Sequence, residues 1–163
     1  MWVSLIPVIE LPIYWTIALD SIAWAIIQPA IGYAGTRLPA TVLDHRRWLF
    51  RTRPWERSGA IYQRLFRVRG WKSALPSGGT VFPGGFSMRQ IASRQPDYLQ
   101  RWLLETCRAE LTHWMSILPS ALFFLWNPRP LGVAMVVYAV LVNVPCIIVQ
   151  RYNRPRLMQI LGS

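Results

Sequence analysis

The sequence predicts an all-α integral membrane protein with about three transmembrane helices and an amphipathic helix lying in a basic cytoplasmic segment. Three observations predict it. Hydrophobic residues make up 53% of only 163 positions, too apolar for a water-soluble domain of this size. The apolar residues gather into runs that approach or exceed the roughly 20 residues needed to cross a bilayer. The formal charge of +11, from 18 Lys and Arg against 7 Asp and Glu, falls between and after those runs.

The chain reads as a single membrane domain, residues 1–163. Residues 2–34 are almost continuously apolar, broken by Glu10, Asp20 and Gln28, with the best span at 11–33. No basic stretch precedes this run and no small-residue cleavage site follows, so a retained helix is expected rather than a removed signal peptide. Residues 35–95 form the basic segment, in which Trp48, Phe50, Trp55, Tyr62, Phe66 and Trp71 are interleaved with arginines, as at an interface. Within it, residues 56–71 set Ile61, Leu65 and Val68 at helical spacing, flanked by Arg57, Arg64 and Arg67, which predicts a helix in the headgroup plane. Leu75 to Phe86 is rich in Gly and Pro and reads as a loop, with Val81, Phe82 and Phe86 free to dip into lipid. A helical hairpin follows over 97–150. Asp97 suits an N-cap, and the apolar runs Leu111 to Trp126 and Leu131 to Val149 flank a helix-breaking Asn127-Pro128-Arg129-Pro130 turn. Residues 151–163 read as a basic tail.

Every Lys and Arg other than Arg129 lies between the first and second runs or after the third. The positive-inside rule then puts the N-terminus outside, and the basic segment and C-terminus on the cytoplasmic side, in a multi-pass protein of the cell membrane. Lys72 is the only lysine, and arginine suits phosphate. Expected partners are therefore a membrane lipid substrate and anionic phospholipids, with oligomers left open. Nucleic acid is not expected, because membrane-seeking aromatics interrupt the basic residues. Cys107 and Cys146 match no zinc or redox spacing and read as small packing residues. No His-Glu-x-x-His occurs, and no metal is expected.

Two polar clusters carry the candidate chemistry. The first runs from Glu105 to Trp114 and includes Arg108, Glu110 and His113, at the cytoplasmic end of the second span. Ionisable groups at that depth are functional candidates. A histidine supported by Glu110 or Glu105 can take a proton from a hydroxyl, as group transfer to an alcohol requires. The second closes the third span with Asn143, Pro145, Gln150, Arg151, Tyr152, Asn153, Arg154 and Arg156. Its arginines can clamp a phosphate-bearing donor, or serve only as a positive flank. The predicted topology brings both clusters to one side. Asp20, midway along the first span, is a third candidate. There is no Gly-x-Ser-x-Gly elbow, and no His followed four residues on by Asp, the pattern of soluble and monotopic glycerolipid acyltransferases.

The stretches Arg108-Ala109-Glu110-Leu111-Thr112-His113-Trp114-Met115-Ser116-Ile117-Leu118-Pro119 and Asn143-Val144-Pro145-Cys146-Ile147-Ile148-Val149-Gln150-Arg151-Tyr152-Asn153-Arg154-Pro155-Arg156-Leu157 closely resemble the glycosyl-4,4'-diaponeurosporenoate acyltransferases of carotenoid (staphyloxanthin-type) biosynthesis. Weaker matches are Gly35-Thr36-Arg37-Leu38-Pro39 and Val68-Arg69 with Trp71-Lys72. The resemblance implies esterification of a sugar hydroxyl on a glycosylated carotenoid, or a related glycolipid, with a fatty acyl chain at the membrane. His113 would deprotonate the hydroxyl and Glu110 or Glu105 would orient it. Arg108, Arg151 and Arg154 would hold the phosphates of an acyl-CoA donor, with no tightly bound cofactor. Trp114, Asn143, Gln150, Tyr152 and Asn153 complete the expected binding set. Another transferase or a reductase acting on a polyisoprenoid, or a non-catalytic membrane adaptor, remain alternatives.

Overall fold

The computed structural model describes residues 7–76, 79, 81–83, 85–88 and 90–162, and among these it contains helices and irregular segments but no strand. The α-helices are α1 (Ile13–Thr36), α2 (Ala60–Phe66), α3 (Val68–Trp71), α4 (Pro96–Ile117) and α5 (Arg129–Leu161). Short 3-10 turns occur at Ala40–Val42, Pro54–Gly59, Lys72–Ala74 and Leu118–Leu125.

α1 is inside out by the standards of a water-soluble protein. It buries Thr16, Asp20 and Gly35 and exposes Ile13, Trp15, Ile17, Ile22 and Ile26. Such a helix finds a favourable surrounding only in lipid or against another apolar surface. α5 behaves alike over its first half, burying Gly132, Ala139 and Asn143 while Val133, Val137, Leu141 and Val142 face outward. Only α1 and α5, among the described residues, are long and apolar enough to cross a membrane. α4, expected as the second of three spans, is a 22-residue helix whose first turns carry Asp97, Arg101, Glu105, Arg108 and Glu110. Two helices of that character are present among the described residues, where about three crossings were expected.

The hairpin forms as expected. Pro119, lacking an amide proton, stands where α4 tightens into the 3-10 run Leu118–Leu125. After the turn, α5 runs unbroken through Pro145 and Pro155 to Leu161. Residues 151–161 are therefore the last turns of a helix, and the expected basic tail is part of the packed structure. At 33 residues α5 is about 50 Å long, well beyond the roughly 30 Å of a hydrocarbon core, so its basic end projects past the apolar part.

Asp20 fastens α1 to the hairpin turn. Its Oδ1 accepts from Trp126 Nε1 at 2.7 Å and Asn127 Nδ2 at 2.8 Å. At the other end Gly35 meets Thr112 of α4 so closely that an added methyl would collide with the threonine side chain.

The expected amphipathic helix is broken. Arg57, Ser58 and Gly59 are left-handed before α2, and Arg67 (φ 49°) separates α2 from α3. Its predicted apolar stripe does not share a face: Val68 is 0% exposed and Leu65 is 64% exposed. Tyr62 and Val68 instead pack on Val149 and Tyr152 of α5. The loop aromatics also turn inward, Phe82 against Gly32 and Tyr33 and Phe86 against Tyr98 and Trp102, whereas Val81 stays exposed.

Candidate functional site

α4 and α5 run antiparallel, so residues of the two sequence clusters meet in reverse order: His113 with Asn143, Glu110 with Arg151, and Thr106 with Arg154. The two polar clusters do converge, and they sort into a closed core and an open wall.

The closed core is an ion network. Glu110 is fully buried and takes Arg154 Nη2 on Oε2 at 2.6 Å and Arg151 Nη2 on Oε1 at 2.7 Å. Arg151 also reaches buried Glu56 at 2.7 Å and the carbonyl of Leu49. Arg154 donates to the Phe50 carbonyl at 2.7 Å, the Thr106 carbonyl at 3.0 Å and Thr106 Oγ1 at 3.1 Å. Two arginines and two glutamates balance to zero formal charge, and each charge has several hydrogen bonds, the condition under which a buried pair survives desolvation. Trp114 Nε1 adds a longer contact to Glu110 Oε1 at 3.4 Å. Tyr152 is buried beside this core, its hydroxyl accepting from Arg69 Nε at 2.8 Å and its ring covered by Arg156.

This geometry corrects three expectations. Glu110 does not orient His113, because its carboxylate is committed to the two arginines. Arg151 and Arg154 are not arrayed for a donor's phosphates, because they donate to Glu110, Glu56, Thr106 and backbone carbonyls. Glu105 does not support His113 either: it accepts from Arg108 Nε at 3.0 Å.

The open wall surrounds a cavity of about 690 Å³ between α1, α4 and α5, covered by described residues between Lys72 and Gln90. Of the expected site residues, Glu105, Arg108, His113, Gln150 and Asn153 line it. α4 contributes a stripe at helical spacing, Glu105, Arg108, Ala109, Thr112, His113 and Ser116, and α1 faces it with Gln28, Pro29, Gly32, Gly35 and Thr36. Val81, Phe82, Phe86 and Met88 supply apolar cover. Arg108 braces the wall: its Nη1 donates to the carbonyls of Gly35 at 2.9 Å and Leu38 at 2.7 Å, satisfying the carbonyl end of α1 where the helix dipole favours a cation.

His113 Nδ1 lies 2.8 Å from Asn143 Oδ1. Asn143 Nδ2 donates to the Ala139 carbonyl at 2.9 Å, which fixes the amide with its oxygen toward the ring. That oxygen can only accept, so Nδ1 carries the proton and Nε2 is the lone-pair nitrogen. This bond, donated by His113 to Asn143, links α4 to α5.

Sequence reasoning passed over several lining residues: Gln28, Lys72, Ser116 and Cys146. Gln28 had a signal, since a polar side chain interrupting an apolar span is a functional candidate. Cys146 was read as packing alone. Asp20 lies away from the cavity, at the hairpin turn. Among the described residues no group of three His, Cys, Asp or Glu side chains gathers as a metal site.

A family model described as glycosyl-4,4'-diaponeurosporenoate acyltransferase matches residues 46–163, which include the whole of α4 and α5. The glycosyl-4,4'-diaponeurosporenoate acyltransferases of Staphylococcus aureus strains bovine RF122 / ET3-1 and USA300 are each 38% identical over 141 residues, 86% of this chain and 85% of theirs. No solved structure matches the chain.

Proposed function

Since the chain belongs to the glycosyl-4,4'-diaponeurosporenoate acyltransferase family, and is thereby an acyltransferase, we propose that it esterifies a sugar hydroxyl of a glycosylated carotenoid with a fatty acyl chain, in the cavity between α1, α4 and α5. The observation that carries this reading is His113, on the cavity wall with its proton held at Nδ1 by Asn143.

In the reaction, Nε2 of His113 takes the proton of the sugar hydroxyl as its oxygen attacks the acyl carbonyl. The tetrahedral adduct collapses, the donor's carbon–sulfur bond breaks, and the imidazolium returns the proton to the departing thiolate. Atoms balance with an acyl-CoA as donor, and no group on the protein is consumed. Asn143 holds the ring and its tautomer, and the apolar cover from Val81, Phe82, Phe86 and Met88 suits an acyl or polyene chain.

With α1 and α5 seated in the cell membrane, the basic segment faces the cytoplasm as its charge predicts. Exposed arginines there draw anionic headgroups and a phosphate-bearing donor toward the mouth. Lys72, exposed on the cavity lining, takes the part first expected of Arg151 and Arg154, whereas Arg108 is committed to Glu105 and the carbonyl end of α1.

The test is a lipid-extract mass spectrum from cells that make the glycosylated carotenoid, with no gene, wild type, or His113→Ala at matched membrane expression. A fatty-acyl mass gain on the glycosylated lipid with wild type, reduced about 10²-fold or more with His113→Ala, is expected. No acyl-dependent difference would overturn the reading.

A further inference from the structure

Tyr152 gathers three cations. Its hydroxyl accepts from Arg69 Nε at 2.8 Å, Arg156 Cζ lies 3.6 Å from its ring centroid, and Lys72 Nζ lies 5.3 Å from the same centroid. Elsewhere among the described residues a ring takes one cation: Arg37 on Tyr33, Arg53 on Trp48, Arg101 on Phe86 and Arg154 on Phe50. A ring attracts each cation through its quadrupole but carries no net charge, so the repulsion among the three stays uncancelled. No carboxylate cancels it either. The ion pairs among the described residues take His45, Arg108, Arg151 and Arg154, and Glu105, the carboxylate that lines the cavity along with Lys72, is held by Arg108.

Donors also remain unspent. Arg69 and Lys72 are exposed and Arg156 is half-buried. Arg156 Nη1 donates to the Tyr152 carbonyl at 2.5 Å, and Lys72 Nζ to Asn153 Oδ1 at 3.3 Å. Among the described residues, both Nη groups of Arg69, and Nε and Nη2 of Arg156, have no protein partner. Three positive charges with two arginine forks among them are the complement of phosphate oxygens. A single carboxylate would cancel one of the three charges, whereas a phosphate ester with a pyrophosphate cancels them all.

The cluster adjoins the cavity, because Lys72 and Asn153 line it. Tyr152 stands nine residues beyond Asn143, the partner of His113, about 14 Å along α5. A ligand that spans both points carries its phosphates at one end of an extended linker and its reacting group at the other. A thioester of CoA is built that way, with the pantetheine arm as the linker.

We propose that Arg69, Lys72 and Arg156, gathered on Tyr152, bind phosphate-ester groups, and that these are the phosphates of the acyl-CoA donor, held there while its thioester reaches His113. The proposal rests on the reading of the cavity as a site of acyl transfer. A membrane phospholipid carries the same phosphate chemistry and is the competing source.

The test measures the binding of CoA, dephospho-CoA and pantetheine by titration calorimetry, to the full chain purified in an uncharged detergent. Wild type should bind them in that order, tightest first, with CoA affinity falling as salt rises. Arg69→Gln combined with Lys72→Gln should weaken CoA about tenfold or more and flatten its salt dependence, with pantetheine unchanged. Arg47→Gln combined with Arg94→Gln removes the same charge from exposed positions elsewhere and should keep CoA affinity within about twofold. Should loss of the Arg69 bond to Tyr152 unfold the double variant, Lys72→Gln alone should weaken CoA about threefold. In turnover, the KM for acyl-CoA should rise, with kcat and the acceptor KM little changed.

A lipid arm separates the two sources. Phosphatidylglycerol titrated into the micelles should protect wild type and the double variant alike against melting. Lipid protection lost in the variant with CoA affinity unchanged overturns the donor assignment. Equal weakening in the Arg47 and Arg94 pair, or CoA bound no more tightly than pantetheine by wild type, overturns the site. The binding arm needs no turnover. CoA binding lost on substitution in a chain that transfers no acyl group would keep the site and sink the reaction. Acyl transfer with an unaltered acyl-CoA KM would do the reverse.

Discussion

Glu105 and Glu110 stand five residues apart on α4, about 140° around its axis, and their surroundings differ in one decisive respect. Glu110 is enclosed by Arg151, Arg154 and Trp114, and each of those arginines spends its remaining donors on Glu56, Thr106 or a carbonyl. Glu105 meets Arg108 and opens onto the cavity with His113, and Gln150 and Asn153 of α5 line the same cavity. One side of the helix has closed its hydrogen-bonding account and the other has left valences open. A saturated network holds helices together, whereas an unsaturated wall can hold a substrate.

The largest effect expected from that difference is on folding. Arg154→Met removes one of the two cations on a fully buried carboxylate, and breaking such a pair costs about 3–5 kcal/mol. Denaturation in detergent should show the loss, and Glu110→Gln combined with Arg154→Met should lose less than the two single changes added together. An Arg154→Met protein as stable as wild type but unable to use acyl-CoA would restore Arg154 to the donor site and break the distinction.

A change at Asn143, buried behind the open wall, should show chiefly in turnover. Asn143→Leu removes the acceptor that holds His113 Nδ1–H, so kcat should fall on the order of tenfold with the acceptor KM little altered. Unchanged kcat would show that the tautomer needs no help from Asn143.

The legible and illegible parts of the sequence divide along the same line. The apolar runs, the proline-marked turn and the inside-out α1 follow from composition and helix period, which act locally. That the two motif-rich stretches would meet was also legible, because a hairpin forces antiparallel neighbours. Which charges would cancel was not. Glu56 lies far from Glu110 in the chain, in a segment expected to float at the interface, and its pairing with Arg151 depends on the left-handed run Arg57, Ser58 and Gly59 that turns the backbone onto α5. Without that turn, Arg151 and Arg154 read as free cations. The break at Arg67 was hidden for a similar reason: Val68 gains more from burial against α5 than a continuous amphipathic helix would gain by keeping its stripe.

Where α1 meets the open side, the packing leaves little slack. Gly35→Ala places a methyl in the space of Thr112 Oγ1, and overpacking of this kind costs about 1–3 kcal/mol. Because Gly35 and Thr112 also line the cavity, the variant should bind the acceptor more weakly as well as melt earlier. Pairing it with Thr112→Ser, which removes a methyl but keeps the hydroxyl, should recover only part of the stability. Full recovery would place the clash at the methyl and not at the oxygen.

The smallest effect is expected at the rim of the closed network. His45 lies 3.7 Å from Asp44, yet its pKa is lowered, first by burial and further by Arg46 and Arg154, against the opposing pull of Asp44. The unfolded chain therefore binds the His45 proton more readily than the folded one. The sign follows from linkage: stability is unaffected by His45 above the ordinary histidine value of about 6.5 and is lost as pH falls from there toward the folded-state value. Wild type and His45→Gln, melted at about pH 8 and about pH 5.5, should then differ in their losses, wild type losing more. His113 is common to both proteins and cancels in the comparison. Equal losses would mean that a proton at His45 is not felt by Arg154, and that the balanced network tolerates one more positive charge at its edge.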